Sequence, residues 1–408
     1  MATSAFPPAP RSKLFALLSL LALAPGAYPF APVAVPRRRS ASLAASAPPA
    51  VSELTSAVTT LKNVLAKEYA TFFSPMYEQY YAPDVTFDDP LTSLAGVAGY
   101  RDNVDLLAGR TLLGGILFAD AGIVLHGVDG GAVDEDGAIA EVTTRWTLRL
   151  TAKVLPWRPT ATFSGVSAYT LVPNPAAAGP RVVVAAQTDY WDSANIVGPG
   201  TPGEGGRYGK VPKADAVRDF LGQLSPGAVE AVSAAPEVPF LLLRRGAGYE
   251  VRRYPAVAAA AVSYERRDLA YDRLGALTRG ATAYAPAVMT VPDGDEEEKS
   301  MAWTVAFQTP GGPGPSFPEP VEKAAETQTD VELKILPERV VAVIRFDDAT
   351  TPNVVRKQDA ALREMLKRDG LVAPEESEGK ISFAQFDAVY SMGQRRSEVW
   401  IDLEKHPW

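Results

Sequence analysis

Tyr249-Glu250-Val251-Arg252-Arg253-Tyr254-Pro255-Ala256-Val257-Ala258-Ala259-Ala260-Ala261-Val262 and Val331-Glu332-Leu333-Lys334-Ile335-Leu336-Pro337-Glu338-Arg339-Val340-Val341-Ala342-Val343-Ile344 run in register. Each reads apolar, Glu, apolar, basic, two more residues, Pro, two more, then an apolar run. That pattern predicts a strand, a proline-marked turn and a second strand. A helix follows each. The first covers residues 268–283, with Tyr271, Leu274 and Leu277 on one face. The second has Thr351 at its N-cap and Pro352 in its first turn. It turns Val355, Leu362, Met365 and Leu366 inward and stops at Gly370. Strands at 288–291 and 301–308 close the first half; strands at 381–389 and 398–403 close the second. Two β–β–α–β–β halves predict a pseudo-twofold pair over residues 239–408, an antiparallel β-barrel flanked by two helices. Only Glu, Pro and one Ala are identical between the two stretches, so the symmetry is one of pattern.

Four places in this half carry a family likeness: Tyr249-Glu250-Val251-Arg252-Arg253-Tyr254; Met289-Thr290-Val291-Pro292; Leu336-Pro337-Glu338-Arg339-Val340-Val341-Ala342-Val343; and Arg395-Arg396-Ser397-Glu398-Val399-Trp400-Ile401. The second matches a Met-Thr-x-Pro stretch and the last resembles an Arg-Arg-Asn-Glu-Val-Trp ending. In order and spacing they resemble the SOUL heme-binding family. The resemblance implies that barrel and non-covalent, reversible binding of heme or another tetrapyrrole, without catalysis. Two departures stand out. Residues 386–391 lack the Pro-rich loop many members carry before Arg-Arg. Residues 239–405 contain no histidine, so an axial histidine within the barrel is excluded.

A porphyrin is a flat apolar disc with two carboxylates on one edge, so its site needs an apolar slot and cations at the mouth. The first repeat helix offers Tyr271, Leu274 and Leu277, with Gly275 and Gly280 permitting close approach. Arg273 and Arg279 flank it and suit propionates, and Met289 packs softly near the slot. The same apolar stripe is also what the buried face of any helix on a sheet looks like. Arg395 and Arg396 suit ion pairing as well as ligand contact. Residues 295–298, one Asp and three Glu, read as a solvated loop.

Upstream, residues 56–197 form a first domain. The region 58–80 has helical spacing of Val58, Leu61, Leu65, Tyr69, Phe72 and Phe73, and 99–107 is a second short helix. Residues 116–128, 138–151, 161–173 and 181–191 read as strands, separated by turn residues such as Gly130-Gly131 and Gly179-Pro180. Helices followed by a long strand set predict an α+β cone, a curved antiparallel sheet over helices. The stretches at 81–90 and 97–101 resemble the nuclear-transport-factor-two-like superfamily, and within it a plastid-associated domain of unknown function. Some members of that superfamily are enzymes with a His–Asp pair. Here His126 with Asp120 or Asp189 could fill that role, or His126 is an ordinary strand-end residue. Residues 198–238 read as a linker with a short helix at 214–224. Gly209-Lys210 is no phosphate loop, because Glu204 and Val211 occupy the positions where that motif needs Gly and Ser or Thr.

The chain is 408 residues long with a net charge of -8, which disfavours nucleic acid as a partner. It contains no cysteine, excluding disulfides, thiolate metal sites and thiol nucleophiles. Its two histidines leave no His-rich metal site. No acidic residue precedes Glu53. Arg11 and Lys13, an apolar run at 14–24 and an Arg-, Ser- and Pro-bearing extension predict a bipartite plastid-targeting leader over 1–52. The junction Ala27-Tyr28-Pro29-Phe30-Ala31-Pro32 resembles the cleavage site of algae with complex plastids. The apolar run is too short to span a bilayer, so no transmembrane segment is expected, while peripheral association with thylakoids or plastoglobules stays open. The competing readings are a groove that binds a lipid, a pigment derivative or a protein, and a small-molecule enzyme in the first domain.

Overall fold

A computed structural model describes residues 50–176, 178–200, 205–226, 235–292, 298–386, 396–404 and 406. Residues 1–49 of the expected leader (1–52), the acidic run up to 297, Arg395 and most of the 386–391 loop lie outside the described residues. The chain divides into two compact units, residues 1–191 with 211–229, and residues 192–210 with 230–408.

In the first unit helix α1 (Val51–Ala70) precedes β1 (Tyr81–Asp88), β2 (Ser93–Ala95), α2 (Val97–Leu107), α3 (Leu112–Leu117), β3 (Phe118–Gly130), β4 (Val142–Ala152), β5 (Thr160–Pro173) and β6 (Val182–Trp191). The helix expected to run to residue 80 ends at Ala70, where Phe72 and Phe73 take positive φ. The strand expected from residue 116 begins at Phe118, because the Thr111 side chain accepts from the Gly114 N–H and starts α3. The six strands order β2-β1-β6-β5-β4-β3. All pairs are antiparallel except β1–β6. Leu54, Val58, Leu61, Leu65 and Tyr69 of α1 are buried, in accord with their helical spacing.

The second unit begins with a two-stranded ribbon, β7 (Ile196–Pro199) and β8 (Gly206–Tyr208). Helix α4 (Lys213–Gln223) belongs to the first unit, where Phe220 meets Phe163 at 5.8 Å. The segment expected as a linker is therefore divided between the units. Its Gly/Pro composition describes the turns, while Phe220 and Leu224 bury themselves. The second unit continues with β9 (Leu241–Arg245), β10 (Glu250–Tyr254), β11 (Val257–Ser263), α5 (Arg267–Leu277), β12 (Tyr284–Pro292), β13 (Ser300–Phe307) and α6 (Glu319–Ala325). Then come β14 (Val331–Leu336), β15 (Arg339–Phe346), α7 (Pro352–Arg368), β16 (Lys380–Gln385) and β17 (Ser397–Leu403). Gly370, at φ +67, ends α7 where a β-carbon would fall 2.6 Å from the Gly205 carbonyl oxygen.

The nine strands order β14-β11-β13-β12-β16-β17-β15-β10-β9. Exchanging the halves, so that β10, β11, β12 and β13 become β14, β15, β16 and β17, reverses this order for every strand but β9. The twofold relation therefore passes between β12 and β16. Each half lends its opening strand to the other: β10 pairs with β15, and β14 with β11. The expected closed barrel is corrected to an open sheet, because among the described residues no ladder joins β14 to β9. With each opening strand lent across the axis and β9 capping one edge, the pairing ends in two free edges. One face packs on the helices through Val251, Ala260, Leu274, Leu277, Leu362 and Ile401, among others.

Candidate functional site

The residues expected to form the groove lie on the helix side of the sheet. Leu274, Leu277 and Met289 have no exposure and belong to the central core. The apolar stripe of α5 thus meets the sheet itself. Arg273 is exposed and pairs with Asp330 at 3.1 Å, and Arg279 is exposed. Tyr271 is half-buried. Its hydroxyl donates to Gln385 Oε1 at 3.2 Å and its ring packs on Trp303 at 5.6 Å. The structure does not bring these six into one slot.

A different set converges on the opposite face. Strand alternation sends Glu250, Arg252 and Tyr254 of β10 and Glu398 and Trp400 of β17 to that side. Arg252 Nη1 reaches Glu398 Oε2 at 3.0 Å, and Arg396 Nη2 reaches Glu398 Oε1 at 3.1 Å. Trp400 Nε1 donates to Glu398 Oε2 at 2.8 Å, and Arg252 also donates to Glu250 at 2.7 Å. Arg396 continues to Glu237 at 2.9 Å. Burial opposes ionisation of Glu398, yet the two guanidinium groups and the indole N–H hold its carboxyl below the usual range. Tyr254 stacks on Trp400 at 4.8 Å, Phe240 packs on Tyr254 at 5.5 Å, and Arg339 lies over the Trp400 ring at 5.1 Å.

Beside this cluster the sheet presents two rows of small side chains. One register line runs Glu398–Ala384–Val288–Ala302–Ala261 across β17, β16, β12, β13 and β11; the next runs Trp400–Ser382–Thr290–Ser300–Ser263. Val288, Ala302, Ala261, Thr290, Ser300 and Ser382 are half-buried and Ser263 is exposed. The rows make a floor about 14 Å wide over four strands, apolar along one line and hydroxylic along the other. Sequence reasoning missed it. The available signal was the i, i+2 spacing of Glu250, Arg252 and Tyr254 and of Arg396, Glu398 and Trp400, which puts each triplet on one face of its strand.

The first unit holds a second polar centre, in a cavity of about 70 Å³. Phe72, Phe73, Phe87, Tyr100 and Trp146 line it, and Asp189 faces it. Tyr69 is the hub: its hydroxyl lies 2.8 Å from Thr144 Oγ1, 3.0 Å from Ser167 Oγ and 3.0 Å from the Tyr169 hydroxyl. Trp146 Nε1 donates to Ser167 at 2.8 Å, and Gln187 Nε2 donates to Asp189 Oδ1 at 2.8 Å. Desolvation by burial pushes the Asp189 carboxyl up to about 7, against bonds from Gln187 and Ser167 and with the charge of Asp89. The His–Asp pairing is not formed by the contacts seen. His126 lies on β3 with its Nε2 2.8 Å from Thr147 Oγ1 and does not line the cavity, and Asp120 is exposed.

Comparison with known proteins agrees with this division. Residues 235–402 match the SOUL heme-binding protein family, and residues 59–176 match an uncharacterized conserved protein family, DUF2358. No curated protein matches the chain. A solved hydrolase from Listeria innocua is 11% identical, covering 42% of this chain and 94% of its own with a TM-score of 0.30. A nuclear transport factor 2-like superfamily protein from Salmonella enterica is 14% identical, covering 37% and 99% with a TM-score of 0.27. The epoxide hydrolase/cyclase-like enzyme SalBIII is 13% identical, covering 33% and 92% with a TM-score of 0.24. Likenesses this distant say nothing of the chemistry. The chain is an α+β protein with a SOUL domain behind a DUF2358 domain, and no described helix is long and apolar enough to cross a membrane.

Proposed function

We propose that the SOUL domain binds heme or a related tetrapyrrole in the plastid, for buffering, transport or sequestration. The observation that carries this reading is the floor of small side chains on the helix-free face, within a domain that matches a heme-binding family. A flat macrocycle needs a flat apolar bed. Val288, Ala302 and Ala261 supply one that the helices do not cover. Trp400, Tyr254 and Phe240 wall one end with aromatic surface. Of the nearby cations, Arg252 and Arg396 are committed to Glu398, whereas Arg339, half-buried and 3.4 Å from Asp402, is placed to meet a propionate.

The residues present fit the macrocycle better than the metal. The floor carries no His, Cys or Met donor, so its side chains recognise the ring by contact and its carboxylates by charge. On this reading the domain is a binding module, as its family match suggests. Heme, when bound, would supply its iron without a protein axial ligand from this floor. Tyr271 and Arg273 would serve only a ligand on the helix side, where Leu274, Leu277 and Met289 are sealed. The absence of a donor on the floor favours a second reading, in which the same bed takes a lipid, another pigment derivative or a protein segment.

The test is a titration of the full chain with hemin and with protoporphyrin IX, read by absorbance and tryptophan quenching. Saturable one-to-one binding of both, without a histidine-type spectrum, is expected. Binding that never saturates, or that an unrelated acidic protein reproduces, would leave the lipid or partner reading. Fusing residues 1–52 to a fluorescent reporter tests the plastid address separately.

A further inference from the structure

We propose that the cavity of the first unit is a binding site for a small apolar organic cation, an alkylammonium, held between the Asp189 carboxylate and a cage of aromatic rings. The site is independent of the tetrapyrrole floor. Its lining contains no Lys, Arg or His. Tyr69 and Phe73 lie 5.0 Å apart, Phe73 and Tyr100 6.1 Å, and Phe87 stacks on Tyr100 at 5.1 Å, so the wall is a continuous aromatic surface. Ring faces carry negative potential, and a cation held against them without water is stabilised.

Asp189 supplies the opposite charge. Its protein partners are the neutral donors Gln187 and Ser167, and among the described residues no cation pairs with it. The other titratable groups acting on this centre are acidic or neutral. Asp89 adds negative charge to Asp189. Glu68 lies behind Tyr81, and the buried hydroxyls of Tyr69, Tyr100 and Tyr169 have pKa values raised above the usual phenol range by burial, which keeps them neutral. The cations nearby are already engaged. Arg110, 5.8 Å from the Phe72 ring, pairs with Asp105 at 2.6 Å, and Lys213 reaches the Leu91 carbonyl at 3.4 Å.

A half-buried carboxylate with no cationic partner among the described residues, set among aromatic rings, is completed by a cation. A neutral ligand of the same shape would leave the charge uncompensated. Because the carboxyl sits at about 7, a cation must displace its proton, which couples binding to pH. Affinity should rise roughly tenfold per pH unit below that value and level off above it. The cavity admits a ligand of a few heavy atoms, with a longer tail only toward its mouth.

The experiment measures propylammonium binding to the full chain by calorimetry and Trp146 fluorescence from pH 5.5 to 8.5, with 1-propanol as the neutral isostere. Saturable binding of propylammonium but not propanol, accompanied by proton release below pH 7, is expected. Asp189→Asn should weaken it at least roughly tenfold, the scale of one desolvated charge contact. Equal binding of propanol, or unchanged binding in D189N, would overturn the proposal. If D189N fails to fold, the wild-type pH profile decides alone, and a flat profile overturns it.

Discussion

Arg252 and Glu398 meet across β15 at 3.0 Å, with side chains 3% and 0% exposed. They come from stretches nearly 150 positions apart, one opening the first repeat half and one closing the second. The contact exists because β15 pairs with β10 on one side and β17 on the other. Arg252 passes over Val343 to reach a carboxylate that Arg396 and Trp400 also hold. Two of the four stretches that carry the SOUL likeness therefore share one buried ion network.

Removing the charge of Glu398 while keeping its shape tests that network. Glu398→Gln removes the carboxylate that two buried guanidinium groups share, leaving Arg252 with Glu250 and Arg396 with Glu237, so the loss should stay below the roughly 3–5 kcal/mol of a fully stranded buried charge. Urea unfolding followed through Trp400 should show the loss in the second unit. Replacing Arg252 and Glu398 together by Leu should cost less than the sum of the two single changes. Additive losses would mean that the pair does not couple.

Stability of the two units should respond to pH in opposite directions. Burial raises the Glu68 carboxyl to about 6, against bonds from the Tyr81 hydroxyl and the Tyr77 N–H. Burial likewise lifts Asp89 to about 6 and Asp189 to about 7. Each binds its proton more tightly folded than unfolded, so its contribution is full below the unfolded carboxyl pKa and is lost as pH rises through the folded value. For Glu68 alone this is on the order of 2 kcal/mol between pH 4 and 7. Glu398 has the reverse sign: its carboxyl is lowered, so its contribution is full above the unfolded pKa and is lost on acidification. Thermal unfolding at pH 5 and 8 should show the first unit stronger at pH 5. D189N should flatten that slope.

The repeat was legible because proline turns and period-two alternation are local signals, and the sheet order obeys them. The exchange of opening strands was not, since partner choice among equivalent strands depends on which edges the halves present to each other. The expected groove residues do not gather into one slot for a related reason. A stripe such as Leu274 and Leu277 announces burial, and burial against a sheet leaves no room for a ligand. The floor is made of Ala261, Ala302 and Val288, whose signal is the lack of a large side chain and whose adjacency requires the register of three strands. Asp189 was visible as an acid with Gln187 at i−2 on the same strand face, but its contact with Ser167 and the Tyr69 hub comes from packing and not from spacing.

That division predicts how the first set of residues behaves. Leu274→Ala and Met289→Ala each remove a fully buried side chain from the helix-side core and should cost about 2–5 kcal/mol. Arg273→Ala and Arg279→Ala should leave stability unchanged within about 0.5 kcal/mol, as surface changes do. Denaturant midpoints decide it. Hemin affinity should not change in the arginine variants if the floor is the site.

The sharpest test of the floor is Ala302→Phe. Ala302 sits at its centre, opposite Ala261 on one side and Val288 on the other, and is half-buried. Its neighbours Met301 and Trp303 pack on the helix side, so a ring at position 302 stands on the open face and leaves that core intact. A phenyl group there occupies the bed a macrocycle would use. Affinity for hemin and protoporphyrin IX should fall at least roughly tenfold, about 1.4 kcal/mol, with circular dichroism and the denaturant midpoint unchanged. Binding as strong as the parent's would move the ligand off this face, to the side where Tyr271 is the only half-exposed member of the original set.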